Sequence, residues 1–178
     1  MTCDLGASYR AARERTAALI AANDSATGRA VPASPDWTVH EVLAHLAGVT
    51  EDVATGNMAG APGDEWTAAQ VARGRDRTDA ALLALWAQHA PALEGLLSGP
   101  NGGAASAAVM DVHAHEADLR HALGLAAELP DFVDSLVGVA QRGRSLGVHL
   151  VLATQRPSGA VSERIRANTA LRVALRVQ

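Results

Sequence analysis

Lysine is absent from this 178-residue sequence, and cysteine occurs once, as Cys3. A single thiol cannot form a disulfide within the chain, so nothing indicates an oxidising compartment, and we expect a cytoplasmic location. Long apolar runs are also missing: no stretch reaches the 18 or more residues that a spanning helix needs. The N-terminal residues include Asp4 and lack the apolar segment of a signal peptide. The sequence therefore predicts no membrane partner.

The charge is low and unevenly distributed. All 15 basic residues are arginine against 19 acids, and a net charge of −4 argues against a general affinity for nucleic acid. Residues 1–126 hold eight arginines and fifteen acids, whereas residues 127–178 hold seven arginines and four acids. The three tryptophans all lie in the first part. This asymmetry indicates two segments of different origin, which we place at 1–124 and 125–178.

The first segment has the apolar periodicity of amphipathic helices. Helices are expected over 5–23, from about Trp37–Thr38 onward, and over 65–73, 76–97 and 104–123, with residues 24–36 as a loop. Thr38 and Glu41 have the spacing of a capping box, and Gly124 is a natural helix end. Four main helices joined by loops predict a mainly α protein, an antiparallel four-helix bundle.

The second segment has a different pattern. A helix is expected over 131–145, a buried strand over 148–153, a short helix over 161–168 and a strand over 171–177. A strand, a helix and a second strand form a βαβ unit. The sequence thus predicts an incomplete α/β fragment after the bundle.

Histidine and aspartate on two predicted helices indicate a metal site. Asp111 and His115 are one turn apart, so both can reach one ion, and His45 could supply a third ligand from the second helix. Three protein ligands leave a coordination position open, as in catalytic sites. A histidine on an apolar helix face, such as His45, is more often a satisfied core residue than a ligand, and Asp118 could pair with Arg120 or with an arginine of another helix. Other candidate ligands on the last helix leave the choice open: His113, Glu116 and His121.

Two stretches carry a resemblance to a known family. RAVPASPDWTVHEVLAHLAGV (29–49) and DVHAHEADLRHALG (111–124) resemble the second and last helices of the mycothiol-dependent maleylpyruvate isomerase N-terminal family, a branch of the DinB-like metal-binding bundles. The resemblance covers about residues 5–124. It implies a bundle in which His45, Asp111 and His115 bind a divalent metal, which we expect to be Zn²⁺. The acid is glutamate in some relatives and aspartate here.

The resemblance also implies a chemistry. Characterised relatives use mycothiol as cosubstrate, and the metal holds its thiolate as the nucleophile. We therefore expect a thiol-dependent transferase or isomerase whose partners are a small-molecule thiol and a small electrophilic substrate. In the isomerase a further C-terminal domain contributes substrate-binding residues, but residues 125–178 resemble a different family. No residue is assigned as catalytic.

Residues 128–178 resemble the late part of the FtsK/SpoIIIE DNA-translocase core, a RecA-like ATPase, including its variants in type VII secretion motors. The matching stretches are VAQRGRSLGVHLVLATQRPSG and IRANTALRVALRVQ. The resemblance makes Thr154 and Gln155 the remnant of a nucleotide sensor, although a simple strand-ending turn would also explain them. No GxxxxGK[ST] motif occurs and no apolar run ending in Asp-Glu precedes residue 128, so we expect no ATPase activity from this chain alone. The alternative function is a non-enzymatic or decayed fusion whose tail contacts a motor ring.

Overall fold

A computed structural model describes residues 4–126 of the protein. The predicted βαβ elements, together with Thr154 and Gln155, lie outside the described residues. The described part is mainly helical, as predicted, with five α-helices: α1 (Leu5–Ala21), α2 (Val39–Thr55), α3 (Asp64–Gly74), α4 (Asp79–Ser98) and α5 (Ala107–Ala122). Within residues 4–126, no helix is both long and apolar enough to cross a membrane.

The helix ends follow the signals in the sequence. Thr38 and Glu41 form the predicted capping box: the Glu41 amide donates to Thr38 Oγ1, and the Thr38 amide donates to Glu41 Oε2. At the end of α5, Gly124 has φ 73°, a left-handed conformation that suits glycine. The amides of Gly124 and Leu125 turn back to the carbonyls of His121 and Arg120, as in a Schellman motif. The sequence therefore predicted the start of α2 and the end of α5 correctly.

The segment predicted as a loop contains a short β-hairpin. Strand β1 (Ala30–Val31) pairs antiparallel with β2 (Ser34–Thr38), and Val31 is fully buried. A two-residue strand facing a proline-containing strand has no detectable alternation of apolar and polar side chains, so the pattern did not predict it. The hairpin leads directly into α2 and positions Trp37 at the start of that helix.

Four long helices form the bundle, and α3 packs against α2. Helix α4 packs on both α1 and α2, while α5 packs mainly on α1 and approaches α2 less extensively. Helix α2 is the most buried of the set and contacts α3, α4 and α5. The four long helices expected for the bundle and the short helix expected over 65–73 are thus all present, and α2 and α5 meet along a less extensive seam, the α2–α5 seam.

Two buried glutamates join α1 to its neighbours. Glu116 on α5 accepts from Arg15 on α1 at 2.9–3.0 Å and from Arg120 one turn along its own helix. Glu94 on α4 accepts from Arg10 and Arg13 on α1. A buried carboxylate is tolerated only when it is paired and hydrogen-bonded, so these ion pairs restrict how α4 and α5 can rotate against α1.

A hydrogen bond joins two aromatic side chains in the core. The indole N–H of Trp86 on α4 donates to the Tyr9 hydroxyl on α1 at 3.1 Å, and both side chains are buried. We expect Tyr9→Phe to lower the free energy of unfolding by about 1–3 kcal/mol, because it leaves the indole N–H buried without this acceptor. Urea denaturation measures the change.

The control is a double-mutant cycle with Trp86→Phe, which removes the donor. The double variant should cost less than the sum of the two single variants, because the unsatisfied N–H is then gone. A Tyr9→Phe protein as stable as the parent, or strictly additive changes, would contradict this account.

Candidate metal centre

His45 lies in the middle of α2 with 6% of its surface exposed. Its Nδ1 is 2.8 Å from Gln70 Oε1 on α3, and its Nε2 is 3.3 Å from Asp111 Oδ2 on α5. The ring is therefore oriented across the α2–α5 seam. A histidine with one nitrogen engaged by the protein and the other directed at a carboxylate is arranged like a metal ligand.

Asp111 and His115 face the same seam from α5. Asp111 Oδ1 lies 3.5 Å from His115 Nε2, and one ligand atom from each of the three residues falls within 4.8 Å of the others. In a tetrahedral zinc site with bonds of about 2.0–2.2 Å, neighbouring ligand atoms are about 3.3–3.5 Å apart. Asp111 lies at about that spacing from each histidine, through Oδ2 for His45 and Oδ1 for His115, so the three residues could hold a single divalent ion.

The local electrostatics favour the protonation states that bind metal. Burial alone would raise the pKa of Asp111, but the hydrogen bond and charge of His45, together with the charge of His115, lower it below its usual value. Burial lowers the pKa of His115, although Asp111 and Asp118 oppose the effect. These shifts favour the ionised carboxylate of Asp111 and the neutral imidazole of His115, which are the ligand forms.

Two further side chains surround the cluster. The Trp37 ring stacks beside His115, with centroids 6.2 Å apart, and tilts against His45 at 5.4 Å. Asp118 Oδ2 lies 3.6 Å from His115 Nδ1, which has no hydrogen-bond partner among the described residues. Sequence reasoning had not assigned Trp37 to the site. Its position one residue before the helix cap of α2 is the signal that could have indicated it.

The structure separates the other candidates on α5 from this cluster. His113 and Glu116 are fully buried, and Glu116 is paired with Arg15 and Arg120. His121 is exposed in the last turn. Arg120 therefore binds Glu116, which leaves Asp118 to face His115. The ambiguity in the sequence is resolved because the rotation of α5 places Asp111 and His115, but not His113, Glu116 or His121, in the cluster with His45.

Comparison with known families agrees with this architecture. Residues 9–120 match the family of the mycothiol maleylpyruvate isomerase N-terminal domain, which is well over half of the chain. The chain belongs to this family. No solved structure shows a significant match.

The C-terminal part of the chain is similar to different proteins. It is 54% identical over 54 residues to the type VII secretion system protein EssC of Staphylococcus aureus strains NCTC 8325 and COL. The ESX secretion system protein YukB of Bacillus subtilis strain 168 matches to the same extent. The match covers 30% of this chain and only 4% of each relative.

We expect the purified protein to contain roughly one zinc ion per chain, bound by His45, Asp111 and His115. His115→Ala should weaken zinc affinity by more than about 100-fold, since loss of even an outer partner of a ligand costs 10–100-fold. Elemental analysis and competition with a chromogenic chelator measure both quantities. His121→Ala is the matched control on the same helix and should bind like the parent. Full zinc retention by His115→Ala would show that the ligands are elsewhere.

Proposed function

We propose that residues 1–124 form a divalent-metal-binding domain that uses mycothiol as cosubstrate in a transferase or isomerase reaction on a small electrophile. The observation that carries the proposal is the His45, Asp111 and His115 cluster in a chain of the mycothiol maleylpyruvate isomerase N-terminal family. Zinc is the metal proposed, because two imidazoles and one carboxylate are ligands that it accepts. A bound divalent cation would lower the pKa of a coordinated thiol and so supply thiolate at neutral pH.

The arrangement of the three residues leaves one side open. His45 and His115 are largely buried, whereas 36% of the Asp111 side chain is exposed. Solvent therefore contacts the cluster at Asp111, and we propose that small molecules approach from that side. Three protein ligands in a tetrahedral site leave one position for a thiol. The two histidines would hold the ion, and the carboxylate would offset part of its charge.

Trp37 supplies an apolar surface beside the two histidines. Its ring is half-buried and lies against both histidines. A planar, apolar face next to a reactive centre excludes water from one side and orients the substrate. We propose that Trp37 contacts the bound thiol or the electrophile.

Thiol binding can be tested without knowing the electrophile. We expect cobalt(II)-substituted protein to develop a thiolate-to-cobalt charge-transfer band when mycothiol is added, because the thiol sulfur enters the open position. Titration followed by ultraviolet spectroscopy gives the affinity. Conjugation of mycothiol to a bimane electrophile in the zinc protein then measures turnover.

His121→Ala should behave like the parent in both measurements, and His115→Ala should show neither the band nor turnover above that of mycothiol alone. Glutathione in place of mycothiol reports thiol specificity. A cobalt protein that shows no band with either thiol would refute the thiol-dependent function while leaving metal binding intact.

The similarity of the tail to EssC and YukB favours a second candidate function. In it, residues 125–178 form a segment like the FtsK/SpoIIIE motors and contact a motor ring, and the bundle is a non-enzymatic or decayed partner. The positive charge of residues 127–178 is consistent with a separate binding role. Thiol-dependent turnover would favour the first function, and co-purification with a secretion motor would favour the second.

We expect no ATP hydrolysis by the 178-residue chain. The sequence has no GxxxxGK[ST] loop and no lysine to contact the phosphates, so Thr154 and Gln155 would face no bound nucleotide. Phosphate release with Mg²⁺-ATP measures the activity, and Gln155→Ala supplies the background. Turnover clearly above that background would contradict the expectation.

A further inference from the structure

The direction of the hydrogen bond between His45 and Gln70 follows from the other partner of the Gln70 amide. Gln70 Nε2 donates to Asp52 Oδ2 at 2.8 Å, and a carboxylate oxygen can only accept. The amide group of Gln70 must therefore direct its NH₂ at Asp52 and its Oε1 at His45. Because Oε1 is also only an acceptor, His45 Nδ1, at 2.8 Å, must carry the proton. The other nitrogen, Nε2, is left to face Asp111.

Asp52 is itself held in place. Its Oδ1 accepts from Arg73 Nη2 at 2.6 Å and from Asn57 Nδ2 at 2.8 Å. Gln70 and Asp52 are each 1% exposed, so the chain of hydrogen bonds runs through the protein interior. Arg73 reaches solvent and balances the buried charge. A continuous chain of contacts thus runs from His45 through Gln70 and Asp52 to Arg73.

Two glycines make the contact geometrically feasible. A Cβ atom at Gly48 on α2 would lie 2.6 Å from Gln70 Cβ, and a Cβ at Gly74 on α3 would lie 2.4 Å from Ala44 Cβ. Both distances are shorter than side-chain carbons tolerate. Helix α3 can therefore approach α2 closely only because neither position has a side chain, and this approach places Gln70 within reach of His45.

We propose that Gln70 is a positioning residue for the metal centre: it fixes His45 with Nδ1 protonated and Nε2 presented to the ion. Asp52 acts on the same ligand by fixing the orientation of the Gln70 amide. This inference rests on the metal site proposed above. A histidine ligand is oriented and made more basic by the group that accepts its second N–H. Here the accepting group is the neutral amide of Gln70. The negative charge lies one contact further away, on Asp52, where Arg73 neutralises it.

The first test compares zinc affinities. Gln70→Met keeps the volume of the side chain but removes the acceptor, and we expect it to weaken zinc binding 10–100-fold, the usual cost of losing an outer partner. Val71→Ala is the matched control, because it removes buried apolar atoms from the same helix without touching the hydrogen bond. It should lower stability but keep parental zinc affinity, which separates positioning from simple destabilisation.

The second test is a rescue. Gln70→Glu alone places a carboxylate against the Asp52 carboxylate, so we expect weaker zinc binding and a less stable fold. Gln70→Glu/Asp52→Asn exchanges the two groups: the asparagine NH₂ donates to the glutamate, which still accepts from His45 Nδ1. The Oδ1 atom of the asparagine at position 52 can continue to accept from Arg73. We expect the double variant to bind zinc at least tenfold more tightly than Gln70→Met. A double variant no better than Gln70→Met would overturn the proposal.

A third measurement needs no metal. Nitrogen-15 NMR of the histidines in metal-free protein at alkaline pH shows which ring nitrogens are protonated. In the parent we expect a proton on His45 Nδ1, whereas in Gln70→Met the proton should move to Nε2, where Asp111 Oδ2 is the remaining acceptor. An unprotonated Nδ1 in the parent would refute the inference.

The outcomes distinguish this inference from the proposed metal site. A parent protein that binds no zinc, yet has a protonated Nδ1, would refute the metal site and keep the Gln70 contact. A parent that binds zinc as tightly as Gln70→Met would refute only the positioning role. Far-UV circular dichroism establishes that each variant is folded before either comparison is made.

Discussion

The close packing of α3 on α2 is the constraint on which the candidate site depends. Because Gly48 and Gly74 have no side chains, the two backbones approach closely enough for Gln70 to reach His45. Interiors are packed so tightly that one added methyl group is felt, so an alanine at either position would push α3 outward. Helix α2 would then keep His45 on its buried face, but the ring would lose the group that orients it.

The side of the site that α5 contributes is positioned by a buried ion pair. Glu116 on α5 is fully buried and bound by Arg15 of α1 and Arg120 of its own helix. Because an unpaired buried carboxylate is strongly unfavourable, this contact restricts the rotation of α5 about its axis. With Glu116 facing α1, the side chains of Asp111 and His115 face α2. The site is therefore assembled by the close approach of α2 and α3 at two glycines and by the buried ion pairs that orient α5.

Much of the fold could be predicted, because helix periodicity and capping are local. The five helices predicted within residues 1–124, the Thr38–Glu41 capping box and the Gly124 end are present. The hairpin before α2 was missed, because β1 is only two residues long and its neighbouring partner β2 shows no alternation of apolar and polar side chains. Spacing and the family resemblance singled out His45, Asp111 and His115, and the structure brings these three residues together.

The sequence by itself determined what depends on neighbours along the chain: which segments are helical, where they begin and end, and that Asp111 and His115 share one face one turn apart. Only the tertiary structure decided which histidine from another helix meets that pair. It also decided that Glu116 binds arginines while Asp118 faces His115, and that Gln70 stands behind His45. The physical reason is that helix rotation and helix separation follow from packing and ion pairs between segments far apart in the chain, and spacing within one helix does not report them.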